Sequence, residues 1–172
     1  MSDPRIDIVK IAQSLPRGAA VIYRHFGARD KRETAAALRQ ISFSRELQLL
    51  IGQDCELAIA CGADGVHFAQ KELELSRLWA RRCPDWVLTG ATHDGPSLAR
   101  ACALPLDAVM LSPVFDTQSV GSGKPLGLKL FSQLTRASSK PVIALGGINA
   151  ATAPYLLGSG AAGLAAISGL KT

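Results

Sequence analysis

The stretch CGADGVHF, residues 61–68, reads as a helix that stops at glycine, a turn of small residues, and a strand that begins at Gly65. The same order returns in GSGAAGLAAIS, residues 158–168, where Gly158 and Gly160 punctuate a small-residue turn before an apolar run. A helix–glycine–strand unit that recurs along a chain is the mark of successive βα units.

Working outward from these two stretches, seven runs read as strands: residues 19–26 (AAVIYRHF), 46–52 (ELQLLIG), 65–69 (GVHFA), 86–91 (WVLTGA), 108–113 (AVMLSP), 141–147 (PVIALGG) and 163–168 (GLAAIS). Segments with apolar residues near helical spacing lie between them, among them 31–41, 55–61, 72–82, 96–103, 129–137 and 151–158. Continuous apolar strands separated by helices imply an α/β chain with a parallel sheet covered on its outer side. The repeated unit favours a barrel over an open doubly wound sheet, and no GxGxxG follows the first strand to mark a dinucleotide site. A TIM-type (β/α)8 barrel has eight strands. Seven are found, the chain opens on a helix over 6–14, and it stops a few residues after its last strand. Either the barrel is incomplete or one element escapes the pattern.

With 172 residues and 48% hydrophobic content, the expectation is one domain spanning 1–172. The four cysteines, Cys55, Cys61, Cys83 and Cys102, show no CxxC spacing and read as buried, reduced thiols rather than a metal site. No signal-peptide pattern and no membrane-length apolar run is present, so a cytoplasmic protein without membrane partners is expected. The formal charge of +5 is spread along the chain with few aromatics to stack on bases. An anionic small molecule explains it better than nucleic acid.

In a parallel βα architecture the loops after strand C-termini converge on one face. Collecting them gives Arg24, His25 and Phe26; Gly52 and Gln53; Gln70 and Glu72; Thr92 and His93; the 112–124 loop with Lys124; Gly146, Gly147 and Asn149; and Ile167, Ser168 and Gly169. Hydroxyls, glycines and cations dominate, a composition suited to phosphate. Gly146 and Gly147 leave bare N–H groups at a strand-to-helix turn, and the AISG run adds another cluster with a hydroxyl. Taken alone, the two glycines are equally well explained by tight packing at a barrel rim.

The motifs CGADGVHFAQKEL, TGATHD, LSPVFDTQS, KPLGLKLF, PVIALGGIN and GAAGLAAISGL stand in the order and spacing of thiamine phosphate synthases and their TenI-like relatives. The chain resembles that family from Arg5 onward. The resemblance implies a (β/α)8 barrel that couples hydroxymethylpyrimidine diphosphate to thiazole phosphate and releases pyrophosphate, usually with magnesium. In this register AAVIYRHF is the second family strand, so the first strand and the closing helix are missing. Two unpaired sheet edges would follow, to be covered by a homodimer or by the N-terminal segment.

Carried over residue by residue, Arg24 takes the place of the diphosphate-clamping arginine, while its lysine partner is Phe26 and the acidic residue between them is His25. The Asn-Asp pair that helps bind diphosphate and metal falls on Gly52 and Gln53. The second metal aspartate falls on Glu72, which leaves that residue as the magnesium ligand. A serine before His93 becomes Ala91, and His93 itself is placed to hydrogen-bond substrate. On the thiazole phosphate side, Thr117 and Ser119 match paired hydroxyls, Gly147, with Gly146 beside it, matches the phosphate glycine, and Ile167 with Ser168 match the final phosphate pair. The catalytic lysine position holds Val120; Lys124 either replaces it or is a solvated loop lysine. His67, on a strand, either points into the barrel or is a satisfied core histidine, and the second reading is favoured. The acid/base histidine of TenI-like tautomerases is Pro113 here, which disfavours that activity. The expectation is therefore a thiamine phosphate synthase-like transferase with weakened activity. The alternatives are a non-catalytic binder of thiazole phosphate or thiamine phosphate, and a barrel enzyme for another phosphorylated small molecule.

Overall fold

The computed structural model describes residues 7–117 and 123–170. Seven strands follow one another in a single parallel sheet: β1 (Ala20–Tyr23), β2 (Gln48–Gly52), β3 (Gly65–Phe68), β4 (Val87–Thr92), β5 (Ala108–Leu111), β6 (Val142–Ala144) and β7 (Gly163–Leu164), each paired to the next. Among the described residues no pairing joins β7 to β1. The architecture is the incomplete barrel that the strand count implies, not a doubly wound sheet, in which strand order would reverse.

The alternation of side chains along each strand builds two layers of core. Val21 and Tyr23, Leu49 and Ile51, Val66 and Phe68, and Val109 and Leu111 face outward under the helices. Ile22, Leu50 and Met110 face inward and pack together, with Val87, Ile143 and Leu145 against them. Contact between β1–β2 residues and β5–β6 residues requires the sheet to curl. Outside it lie α1 (Ile8–Ser14), α2 (Lys31–Arg45), α3 (Cys55–Cys61), α4 (Ser76–Arg82), α5 (Gly95–Cys102) and α6 (Gly127–Ala137). Leu38 of α2 and Phe131 of α6 are fully buried, each worth about 1.5–3 kcal/mol of apolar transfer. Among the described residues no helix is long and apolar enough to cross a membrane.

Local chemistry sets the helix limits. Asp54 caps α3 by accepting from Leu57 N–H at 2.9 Å, and Gly62 closes it in the left-handed region. Asp94 and Ser97 form a reciprocal capping box on α5, with Pro96 in its first turn. Two aspartates brace the sheet from below. Asp64 accepts the Leu49 N–H at 2.7 Å and is gripped by Arg39, and Asp107 accepts the Leu88 N–H at 2.7 Å. At Gly65 a Cβ would fall 1.9 Å from the Val87 carbonyl oxygen, so that strand start admits only glycine without a shift.

Several expected elements differ, and the strands read over 19–26 and 141–147 narrow to Ala20–Tyr23 and Val142–Ala144. The helix over 72–82 is a 3-10 helix, Gln70–Leu75, followed by α4. The helix over 151–158 is one 3-10 stretch, Ala153–Leu156, with Pro154 in its first turn. The last strand shrinks to Gly163–Leu164, since its Ala- and Gly-rich run has little β-branched surface to hold a ladder.

Candidate active site

The C-terminal ends of the strands enclose a cavity of about 280 Å³. Arg24, which follows β1, enters from one side. Its side chain lies across the end of β2, where a Cβ on Gly52 would come 2.6 Å from Arg24 Cγ. Its guanidinium stacks on Phe26 at 4.6 Å from the ring centroid. Phe26 turns the chain with φ 49, so the loop carrying Arg24 is sharply bent.

That loop is tied down from outside the cavity. The Gly27 N–H donates to His25 Nδ1 at 3.0 Å, which leaves the proton on Nε2, and Nε2–H donates to Asp54 Oδ2 at 3.1 Å. Lys31 Nζ donates to the same oxygen at 2.7 Å. Burial works against the Asp54 charge, but Lys31, the Leu57 N–H and His25 outweigh it and hold the carboxyl below its ordinary range.

His67, inward-facing on β3, is 2% exposed yet lines the cavity, and its Nδ1 lies 2.9 Å from Thr89 Oγ1 on β4. Burial first, and the charge of Arg24 second, push its pKa down to about 3, so the ring is neutral. It is thus a satisfied core histidine and a cavity wall at once. His93 after β4 has Nδ1 at 2.8 Å from the Ser112 carbonyl oxygen, which fixes the proton on Nδ1 and leaves Nε2 an acceptor in the neutral ring. Gln70 also lines the cavity, and its Oε1 is buried with no hydrogen-bond partner among the described residues. An orphaned acceptor of this kind costs about 1–3 kcal/mol until a donor meets it. Gln70 was collected only as a strand-end residue, and its orphaned oxygen becomes visible with the surrounding burial.

The opposite wall comes from β6 and β7. Gly146 and Gly147 have φ of 97 and 67, and a Cβ on Gly147 would come 2.5 Å from the Asp116 carbonyl oxygen. Close packing against the 113–116 loop therefore demands glycine here, as the rim reading held. The same turn exposes donors: among the described residues, the N–H groups of Gly147, Ile148 and Ser168 have no acceptor. Thr117, Gly146, Gly147, Ile167 and Ser168 all line the cavity, together with Arg24 and His93. Ser119 and Val120 lie outside the described residues. Lys124 is exposed and is not part of the cavity wall.

Glu72 stands apart from this group. It is absent from the cavity lining and sits beside Lys71, its carboxylate 3.7 Å from the ammonium. Gln53, which does line the cavity, is a neutral amide. Among the described residues no three His, Cys, Asp or Glu side chains cluster as metal ligands. Magnesium prefers several hard oxygen donors in octahedral array. The described residues lining the cavity do not fit a magnesium ion held on protein carboxylates, and Glu72, the ligand expected from the sequence, is not among them.

A family model described as thiamine monophosphate synthase matches residues 3–170. The chain belongs to the thiamine monophosphate synthase family. It is 35% identical over 168 residues to the thiamine-phosphate synthase of Methanoculleus marisnigri, covering 94% of this chain and 78% of that protein. It is 31% identical over 148 residues to the thiamine-phosphate synthase of Albidiferax ferrireducens, covering 86% of this chain and 68% of that protein. A thiamine phosphate pyrophosphorylase from Pyrococcus furiosus superposes with a TM-score of 0.83 at 24% identity, over 97% of this chain and 83% of that one, which supports the fold. More distant barrels, such as the phosphoribosylanthranilate isomerase of Pyrococcus furiosus, match at a TM-score of 0.62 and 15% identity, over 97% of this chain and 85% of that one. The thiamine monophosphate synthase family assignment agrees with the register in which Arg24, Thr117, Gly147 and Ser168 meet in one cavity.

Proposed function

We propose that this chain is a thiamine-phosphate synthase-like transferase, joining hydroxymethylpyrimidine diphosphate to thiazole phosphate with release of pyrophosphate. One observation carries the reading: one cavity is lined by Arg24 on one side and by Gly147, Ile148 and Ser168 on the other, residues whose N–H groups have no acceptor among the described residues. Two anionic groups, one on each substrate, then have separate places. Arg24 receives the diphosphate through charge-assisted hydrogen bonds. The amides, with Thr117 and Ser168 hydroxyls, receive the thiazole phosphate. The family register adds the Ser119 hydroxyl to this side, while Lys124 stands four residues beyond the family's lysine position and must swing in from its exposed place to take that role. His67, neutral, and the Gln70 amide oxygen offer hydrogen bonds to the heterocycle between them.

The bond to the departing diphosphate breaks as the pyrimidine carbon gains positive character, and the thiazole nitrogen then attacks that carbon. Arg24 stabilises charge on the leaving group, and one such contact is commonly worth about a hundredfold in rate. The test is to incubate the full chain with both substrates and follow thiamine phosphate and pyrophosphate. Product formation that falls about a hundredfold with Arg24→Ala supports the reading. A cavity with no carboxylate in its wall favours one competing reading, a non-catalytic binder. Tight thiazole phosphate binding with no turnover would establish that instead.

A further inference from the structure

The charge in the cavity wall has one sign. Among the described residues Arg24 is its cation, and no aspartate or glutamate lines it. At each position where the family register calls for a carboxylate, this chain has removed or redirected one. Gln53 carries an amide, with its backbone at φ 65 and its N–H donating to the His67 carbonyl oxygen at 3.0 Å. Glu72 lies off the cavity beside Lys71. Asp54, the next residue after Gln53, is occupied by Lys31 at 2.7 Å, His25 at 3.1 Å and the Leu57 N–H at 2.9 Å. A carboxylate with three donors on its two oxygens is a poor metal ligand, because those donors must leave first.

The same changes favour direct anion binding. Gly52 leaves room for Arg24 to lie across the strand end, and Phe26 stacks on its guanidinium. The Asp54 clamp holds the loop from which Arg24 projects, so less conformational freedom is lost when an anion binds. A fixed guanidinium presents several donors to phosphate oxygens without a bridging ion.

We propose that this cavity takes the phosphate ends of its ligands directly on Arg24 and backbone amides, with no divalent metal bridging ligand to protein, so that anion affinity is independent of magnesium. The proposal rests on the reading that this cavity binds phosphorylated ligands. The experiment is calorimetric titration of inorganic pyrophosphate into the full chain, in EDTA and in excess magnesium, with thiazole phosphate titrated in parallel. Pyrophosphate is expected to bind in EDTA within about threefold of its affinity in magnesium, and Arg24→Ala to weaken it about tenfold or more in both buffers. Gln53→Asp, with a side chain that tolerates the left-handed backbone, is expected to weaken binding in EDTA and to restore it with magnesium. Pyrophosphate that binds only with magnesium, or in neither buffer, overturns the proposal. If pyrophosphate binds in EDTA and thiazole phosphate does not bind at all, the proposal stands and the synthase-like reading falls. If thiazole phosphate binds and pyrophosphate needs magnesium, the reading stands and the proposal falls.

Discussion

Replacing Gly147 with alanine tests whether two separate costs meet at the β6 turn. The backbone there has φ 67, where a Cβ costs about 1–2 kcal/mol. The added carbon would also lie 2.5 Å from the Asp116 carbonyl oxygen and 2.8 Å from Phe115 Cβ. Overpacking of that kind typically costs about 1–3 kcal/mol, so Gly147→Ala is expected to lose about 2–5 kcal/mol. Two other glycines separate the contributions. Gly18 has φ 77 and open space within 4 Å, so Gly18→Ala should lose only the conformational part, about 1–2 kcal/mol. Gly65 has ordinary backbone but would set its Cβ 1.9 Å from the Val87 oxygen, so Gly65→Ala isolates the steric part. The assay is urea unfolding followed by circular dichroism, with equal denaturant slopes required before stabilities are compared. The reasoning fails if Gly147→Ala and Gly18→Ala lose the same stability within about 0.5 kcal/mol.

Three further outcomes are expected. His67 has a folded pKa of about 3 against 6.5 in the unfolded chain, so the unfolded state binds the extra proton between those values. Its contribution to stability is therefore full above pH 6.5 and is lost as pH falls toward 3, at up to about 1.4 kcal/mol per pH unit; unfolding of His67→Gln across that range should lack this slope. Asp54→Ala removes the α3 cap and leaves Lys31 and His25 without their shared carboxylate, a loss of about 1–3 kcal/mol at pH 7. Because the folded carboxyl titrates below its ordinary 3.8, the difference from wild type in parallel urea melts should persist to that pH and narrow only in stronger acid. Thr117→Val should weaken thiazole phosphate binding by about ten- to a hundredfold, the worth of one hydrogen bond to a charged group, and an unchanged dissociation constant by calorimetry would remove Thr117 from the phosphate site.

The barrel was legible because each strand is an apolar run bounded by turn residues, and the glycine-ended helices repeat on schedule. The site was legible to the same extent: Arg24, His93, Thr117, Gly147 and Ser168 all follow strand ends, and strand ends converge. Glu72 escaped that rule because residues 70–75 wind as a 3-10 helix. At about three residues per turn, a side chain two positions beyond Gln70 points about 120° away from it, so Gln70 faces the cavity and Glu72 does not. For His67 the two readings of the sequence, a satisfied core histidine and a side chain pointing into the barrel, hold together. With Val66 and Phe68 in the outer core, alternation puts His67 on the inner face, and a hydrogen bond to Thr89 does not stop it from forming a wall. Lys124 depends on the path of a glycine-rich loop, for which spacing along the chain gives no direction.

The crossing of Arg24 over Gly52 also has a historical consequence. Any side chain at 52 would occupy the path of the Arg24 methylenes, 2.6 Å from Cγ. A return from Gly52 to the asparagine of the family register is therefore not a neutral step on its own, because it must move Arg24 before it can supply anything. The two sites are locked in sequence space, and their substitutions should be non-additive in a double-mutant cycle.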